Sequence, residues 1–233
     1  MRTPAISMIV LAYEDEPSLP ALVGELDAVL RSLADRHEIV IVDDGSRDDT
    51  RAVAAGLVKQ YAVVSERHAV NRGVGAAFAT GVQACRYDII GYMDGDGQFA
   101  PEDIPAVAAL LQSADAACGI RARRADPLSR RIISRVYSFV LARIFSLAVP
   151  DVNCGLKLFT RRFLEAVIVA GRGLIRWAQR HAELAERLAG EERDATRRAE
   201  LEAMARVSRR VPAEPATTFH EALQSFWFVH LAM

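Results

Sequence analysis

Short apolar runs alternate with stretches of helical periodicity from residue 5 to residue 119, and few folds accommodate this alternation. Short apolar runs predict buried strands, and the amphipathic stretches between them predict helices. Because strands and helices alternate, we expect an α/β fold with a mostly parallel, Rossmann-like sheet covered by helices on both faces. The predicted strands are 5–12, 38–42, 63–66, 88–91 and 114–119, and the predicted helices are 19–33, one capped by Asp48 or Asp49 that ends at Tyr61, 75–85 and 101–112.

Composition narrows the class of protein. The 233 residues are 51% hydrophobic and 25% charged with a net charge of −1, which is typical of a globular chain and argues against nonspecific nucleic-acid binding. The three cysteines form no Cys-x-x-Cys pair, so we expect a reducing, cytoplasmic setting. The start of the chain has no signal-peptide pattern, and the longest apolar stretch, 138–150, is too short to span a bilayer. Any membrane contact is therefore expected to be peripheral, at the inner face.

Three short acidic loops follow predicted strands, at 13–16, 43–46 and 94–98. Ligands of open α/β sheets bind at the carboxyl ends of the strands, where these loops lie. Carboxylates there can accept hydrogen bonds from ribose hydroxyls and base N–H groups. In the third loop, Asp94, Asp96 and the amide oxygen of Gln98 suit Mg²⁺ or Mn²⁺ carrying a diphosphate. An ordinary polar turn remains the alternative for the second and third loops, with an Asx bond in the second.

The segment Asn71-Arg72-Gly73-Val74-Gly75 matches a dinucleotide-binding fingerprint only in part. It follows the third predicted strand rather than the first, and it lacks the third glycine at the required step. We therefore do not assign NAD binding to it. Its glycines are expected to let the loop lie close to a nucleotide or to the sheet edge.

Six ordered segments resemble the family 2 glycosyltransferases with a GT-A fold, in the branch that uses polyprenyl or dolichol phosphate. The resemblance runs from Ile6 to about Val167. The family's first segment is usually Pro-Ala-Tyr-Asn-Glu, whereas here Leu11 replaces the proline and Glu14 the asparagine. The six segments are Leu11–Glu16, Val42–Asp48, Asn71–Gly75, Asp94–Gln98, Gly119–Arg121 and Asp151–Phe159.

This resemblance implies roles for particular residues. The catalytic residues would be Asp94, Asp96 and Arg121, the nucleotide-binding residues Tyr13, Asp15, Asp44 and Asp94, and the metal ligands Asp96 and Gln98 with Asp94 close by. Arg121, with Arg135 as a second candidate, would face the diphosphate or an acceptor phosphate, because a guanidinium binds phosphate oxygens bidentately. Arg123, Arg124, Arg130 and Arg143 are expected on a solvated helix face or against an anionic membrane surface.

The reaction implied by the resemblance is the inverting transfer of a sugar from a nucleotide-diphospho-sugar to an acceptor, a polyprenyl phosphate. Mg²⁺ or Mn²⁺ would act as a Lewis acid on the departing diphosphate. A phosphomonoester has its second pKa at about 6, so the acceptor oxygen is already ionised near neutral pH and needs no general base. In keeping with this, His68 is expected to be a turn residue.

Residues 168–233 differ in character from residues 1–167, which we predict to be a glycosyltransferase domain without its carboxyl-terminal part. Helical periodicity predicts an all-α tail with helices at 173–189, 191–210 and 219–231. Leu174–Ala185 and Thr218–Leu231 resemble part of a glycyl radical enzyme of the pyruvate formate-lyase type. The radical-bearing glycine and the thiyl cysteine of such enzymes have no counterpart in this sequence.

The two resemblances leave alternatives open. Either a glycosyltransferase acquired a foreign helical tail by gene fusion, or the reading frame joins two unrelated fragments. The chain could serve as a nucleotide-binding but catalytically impaired module instead of a sugar transferase. A fragment of a glycyl radical lyase is a further alternative, which would need the missing glycine and cysteine from another chain.

Overall fold

A computed structural model describes residues 3–120 and 154–232. The described residues fall into two compact units, residues 3–120 with 154–164 and residues 165–232. The division into domains at residue 167 stays a prediction. Within these residues, no helix combines the length and the apolar character needed to cross a bilayer.

The first unit contains the predicted alternation of strands and helices. A 3₁₀ turn at Pro101–Asp103 leads into its fourth helix, with proline in the first turn as the sequence predicts. The elements are β1 (Thr3–Ala12), α1 (Leu19–Leu33), β2 (Ala34–Asp43), α2 (Thr50–Leu57), β3 (Val63–Arg67), α3 (Val74–Ala84), β4 (Ile89–Asp94), α4 (Ile104–Leu110), β5 (Ala116–Cys118) and β6 (Lys157–Thr160).

The six strands form one sheet in the order β3-β2-β1-β4-β6-β5. The first four in this order are parallel, whereas β6 is antiparallel to both β4 and β5. The expectation of a mostly parallel α/β sheet is therefore confirmed. The sequence did not reveal β6, which enters between β4 and β5 from a point far along the chain.

Both faces of the sheet are covered. Every residue of β1 from Ile6 to Ala12 is buried, because successive side chains point to opposite faces and each face carries helices. Met8 and Val10 share one apolar cluster with residues of α1, α2 and α4. Ile9 and Leu11 share the other with α3. This rigid centre fixes the loops that follow β1 and its neighbours.

The second unit is helical, as expected, but its helix boundaries differ from the prediction. The helices are α5 (Arg161–Glu191), whose first four residues belong to the first unit, α6 (Ala195–Arg210) and α7 (Phe219–Ala232). The start predicted at Gly173 is wrong, because α5 runs unbroken through Gly171 and Gly173, where a Cβ would meet nothing within 4 Å. Each glycine costs roughly 1 kcal/mol relative to alanine in a helix, which the flanking helix formers offset. The start of α6 is Ala195 and not Glu191 as predicted, and the side chain of the preceding Asp194 accepts the N–H of Arg197 as a helix cap.

The C-terminal end of α2 also differs from the prediction, whereas its N-terminal cap does not. The helix predicted to reach Tyr61 ends at Leu57, and a turn follows it. Asp49 occupies its N-cap position without a side-chain bond, whereas the carboxylate of Asp48 accepts the N–H of Thr50 at 3.1 Å. Both residues that the sequence predicted as the cap therefore contribute, Asp49 by its position and Asp48 by its side chain.

Candidate functional site

The ends of β1, β2 and β4 meet at one edge of the sheet. The strand register places Ala12 beside Asp43 and Leu11 beside Asp94, so the three acidic loops start side by side. A cavity of about 300 Å³ opens between them. Its lining comprises Leu11, Ala12, Tyr13, Asp15, Asp44, Asn71, Gly73, Val74, Ala77, Asp94, Gly95 and Asp96.

Asp15 is held at the cavity by backbone contacts. Its carboxylate accepts the N–H of Tyr13 at 3.0 Å, and its own N–H donates to the hydroxyl of Thr50 at 3.0 Å. Burial raises the pKa of Asp15, and the charges of Asp96 and Asp48 raise it further, against the lowering effect of the Tyr13 N–H. Burial and the neighbouring negative charges therefore both disfavour the ionised form of Asp15.

The loop after β4 is fixed through Gly95. Its N–H donates to the carbonyl of Leu11 at 2.8 Å, and its carbonyl accepts the hydroxyl of Ser18 at 2.8 Å. A Cβ at Gly95 would lie 2.9 Å from Oδ2 of Asp15, so only glycine brings the two loops this close. As a result, Asp94 and Asp96 flank a backbone that is already in contact with Asp15.

The Asp-Gly-Asp loop has features both of a polar turn and of a cation site, the two interpretations between which the sequence did not decide. The N–H of Gln98 donates to Oδ1 of Asp96 at 3.0 Å, which is the Asx bond of a polar turn. Asp94 and Asp96 nevertheless line the cavity. The side chain of Gln98 is exposed and lies outside the cavity lining, so its predicted role as a metal ligand stays a prediction.

The two carboxylates at the end of β2 have different roles, since one stabilises the turn and the other lines the cavity. Asp43 accepts the N–H of Ser46 at 2.8 Å, which is the kind of Asx bond that the alternative interpretation of this loop predicted. Asp44 lines the cavity instead, and its carboxylate accepts the N–H groups of Arg72 at 3.0 Å and Gly73 at 2.8 Å. Burial opposes ionisation of Asp44, but these N–H groups and His68 outweigh it and lower its pKa.

The oxygen donors at this edge fit a hard divalent cation. In the described part of the chain, no cluster of three or more His, Cys, Asp or Glu side chains could hold a metal by itself. Mg²⁺ sites that carry a nucleotide commonly use one or two carboxylates together with substrate phosphates, which is what Asp94 and Asp96 offer. The mutual repulsion of Asp15 and Asp96 is a second feature that a cation would relieve.

Several site residues were not found from the sequence alone, and two lie outside the described residues. Asn71, Val74 and Ala77 line the cavity, although the sequence assigned only proximity to their loop. The sequence feature that could have identified them is the position of this loop directly after a strand. Arg121 and Arg135 are not among the described residues, so their predicted phosphate contacts stay predictions.

Solved structures of known proteins share this fold. A solved structure of glucosyl-3-phosphoglycerate synthase from Mycobacterium tuberculosis, in complex with Mn²⁺, uridine-diphosphate and phosphoglyceric acid, is similar with a TM-score of 0.53. The two chains are 21% identical, and the similarity covers 68% of this chain and 56% of the other. The fold is thus that of the GT-A glycosyltransferases.

The chain belongs to the family described as Glycosyl transferase family 2, which matches residues 7–168. An undecaprenyl-phosphate 4-deoxy-4-formamido-L-arabinose transferase of Pseudomonas savastanoi is 32% identical over 166 residues, covering 70% of this chain and 49% of the relative. The enzyme of that name from Pseudomonas aeruginosa strain LESB58 is 34% identical with the same coverage. The chain therefore spans about half the length of the curated relatives it matches.

The helical region matches a second family, described as Pyruvate formate lyase-like, over residues 154–233. Both predicted resemblances are therefore confirmed. The two matches overlap between residues 154 and 168, which include β6 and the first turns of α5.

Proposed function

We propose that this protein transfers a sugar from a nucleotide-diphospho-sugar to a polyprenyl phosphate. The observation that carries the proposal is the convergence of carboxylates from three strand ends, Asp15, Asp44 and the pair Asp94 and Asp96, on one cavity. Membership of the glycosyltransferase family supports sugar transfer, and the names of the relatives support the lipid phosphate acceptor.

The nucleoside part of the donor would occupy the side of the cavity formed by the loops after β1 and β2. Tyr13 is 39% exposed and offers a ring for a base to stack on. Asp15 and Asp44 can accept hydrogen bonds from base N–H groups or ribose hydroxyls. The lowered pKa of Asp44 keeps it an acceptor at neutral pH.

The diphosphate would lie toward the loop after β4. Asp94 and Asp96, with the amide oxygen of Gln98, would hold Mg²⁺ or Mn²⁺, which when bound neutralises charge on the departing diphosphate. Arg121 and Arg135 are proposed to contact the diphosphate or the acceptor phosphate. The solved M. tuberculosis relative binds Mn²⁺ together with uridine-diphosphate, which supports this choice of cation.

The acceptor phosphate would attack the anomeric carbon directly, with inversion. Its second pKa is about 6, so the attacking oxygen is ionised at neutral pH and no side chain has to remove a proton. The residues of the site then only orient the donor and stabilise the leaving group. A lipid acceptor places the reaction at a membrane surface, and we propose peripheral contact on its cytoplasmic side.

The test is turnover with a panel of UDP-, GDP- and dTDP-sugars and undecaprenyl phosphate in detergent micelles, with Mn²⁺ or Mg²⁺. The expected product is a glycosyl undecaprenyl phosphate of inverted anomeric configuration, and its formation should stop when the cation is chelated. Transfer that continues unchanged in chelator would contradict the metal assignment. A product of retained configuration would contradict direct displacement.

A second candidate is a nucleotide-binding module without turnover. The observation that favours it is that the glycosyltransferase match ends at residue 168, whereas the pyruvate formate lyase-like match continues to residue 233. Under this candidate the cavity binds a nucleoside diphosphate in a cation-dependent manner, but no glycosyl lipid forms with any donor of the panel. Binding and turnover measured on the same preparation distinguish the two.

A further inference from the structure

His68 occupies a buried position beside the proposed nucleotide cavity. It follows the last residue of β3, and its side chain is only 5% exposed. Its ring nitrogen Nδ1 lies 2.5 Å from Oδ1 of Asp44, and Nε2 lies 2.8 Å from the hydroxyl of Thr80 on α3. The ring therefore links a helix on one face of the sheet to a carboxylate that lines the cavity.

The protonation state of Asp44 determines which ring nitrogen of His68 carries a hydrogen. The pKa of Asp44 is lowered, so its carboxylate accepts hydrogen bonds and donates none at neutral pH. The nitrogen facing it, Nδ1 of His68, must then carry a hydrogen. In a neutral imidazole Nε2 is left as an acceptor, which the hydroxyl of Thr80 can satisfy as donor.

The carboxylate of Asp44 in turn holds the loop that forms one wall of the cavity. Its Oδ1 also accepts the N–H of Arg72, and its Oδ2 accepts the N–H of Gly73. Asn71, Gly73 and Val74, which surround these contacts, line the cavity. Because both oxygens of Asp44 hold this loop, a rotation of the carboxylate would release the cavity wall.

We propose that His68 is a positioning residue that orients the carboxylate of Asp44 and, through it, the 71–73 wall of the nucleotide cavity. This inference rests on the proposed function only for the identity of what the cavity binds. His68 is not a general base here, because its side chain is buried and Nε2 faces Thr80 rather than the cavity.

Two variants of the full chain separate this role from simple packing. The His68→Leu variant fills the site but removes both hydrogen bonds. The His68→Asn variant keeps an amide N–H near the position of Nδ1 and loses the contact with Thr80. Amide hydrogen exchange is followed at Arg72 and Gly73, with the amides of β1 as the internal control.

In His68→Leu, exchange at Arg72 and Gly73 should become about tenfold or more faster while β1 stays protected, because a hydrogen bond to a charged group is lost. In His68→Asn, both amides should stay within a few-fold of wild type. Unchanged exchange at Arg72 and Gly73 in His68→Leu, or no recovery in His68→Asn, would overturn the inference.

Nucleotide binding gives the second measurement, by calorimetry with UDP, GDP or dTDP in MnCl₂. We expect the Kd of the tightest of these to rise about tenfold in His68→Leu and to recover in His68→Asn. If wild type binds none of them, the proposed function fails, whereas the exchange result still decides the role of His68. If His68→Leu does not fold, ¹⁵N shifts of wild-type His68 decide instead, with protonated Nδ1 expected and the Nε2–H tautomer contradicting the proposal.

Discussion

Gly155 lies directly against the carboxylate of Asp94, so closely that a Cβ at position 155 would overlap Oδ2 of Asp94 and the ring of Phe99. The sheet register explains this proximity. Tyr92 of β4 pairs with Lys157 of β6, and extending the antiparallel ladder by two residues brings Asp94 opposite Gly155. A residue far along the chain thus sets the space available to a carboxylate of the proposed metal site.

Gly155→Ala should therefore displace Asp94 as well as strain the core. We expect a loss of about 1–3 kcal/mol in the free energy of unfolding, the usual cost of overpacking a buried site. We also expect cation-dependent nucleotide binding to weaken at least tenfold. Urea denaturation and calorimetry with MnCl₂ and a nucleoside diphosphate measure the two effects.

Gly56→Ala is the matched control for that experiment. Gly56 lies in α2, where a Cβ would meet nothing within 4 Å. The variant should gain roughly 0.5–1 kcal/mol from helix propensity and bind nucleotide as wild type does. A Gly155→Ala protein that behaves like Gly56→Ala would show that Asp94 is not confined as described.

Glu14 has a left-handed backbone conformation, with φ of 59°, which a side chain other than glycine or asparagine adopts at a cost. The usual family sequence has asparagine at this position, and asparagine tolerates this conformation. Glu14→Asn should stabilise the protein by about 0.5–1 kcal/mol in denaturant unfolding. The N–H of residue 14 that donates to the hydroxyl of Ser46 is a backbone group, so the substitution retains this bond.

Glu25→Asn serves as the comparison, because Glu25 is exposed within α1, where asparagine is the poorer helix former. It should be slightly destabilising, opposite in sign to Glu14→Asn. Equal effects of the two changes would indicate that charge, and not backbone conformation, governs the stability at Glu14.

The raised pKa of Asp15 predicts a stability effect with a definite sign. A group whose pKa is higher in the folded state contributes most stability at low pH and loses that contribution as pH rises through the folded pKa. Asp15→Asn should therefore raise the melting temperature at pH 7, and the gain should shrink toward pH 3.5. Thermal unfolding across this range measures it.

Asp48 is the natural control, since a hydrogen bond from the Thr50 side chain lowers its pKa. A lowered pKa gives stability that is present at neutral pH and lost in acid, so Asp48→Asn should lower the melting temperature at pH 7. A lower melting temperature for Asp15→Asn at pH 7 would mean that burial and the neighbouring charges do not destabilise the ionised carboxylate of Asp15.

The alternation of the first unit was predictable from the sequence because each strand is a short apolar run between helical periods. The position of β6 was not, because strand order depends on contacts between residues distant in sequence, such as Gly91 and Leu158. The continuity of α5 was missed because Gly171 and Gly173 suggested a break, whereas both tolerate the helix.

The acidic part of the site was predictable for a different reason. Asp15, Asp44 and Asp96 follow strands and Asp94 ends one, and parallel strands bring their carboxyl ends to one edge. His68 was expected to be a turn residue, because nothing in the local sequence shows that Asp44 and Thr80 lie on either side of it. Networks of this kind are set by tertiary packing.

In the proposed function, Asp94 and Asp96 bind a divalent cation that carries a nucleoside diphosphate. Asp96→Asn tests it, with Asp88→Asn as control, because Asp88 precedes the same strand at its opposite end and its side chain is 96% exposed. The measurement is calorimetric titration with UDP, GDP or dTDP, with MnCl₂ and with chelator.

We expect Asp88→Asn to bind nucleotide as wild type does, and Asp96→Asn to stay folded by circular dichroism but to lose cation-dependent binding. Cation-dependent binding of equal strength in Asp96→Asn and wild type would show that Asp96 does not hold the cation.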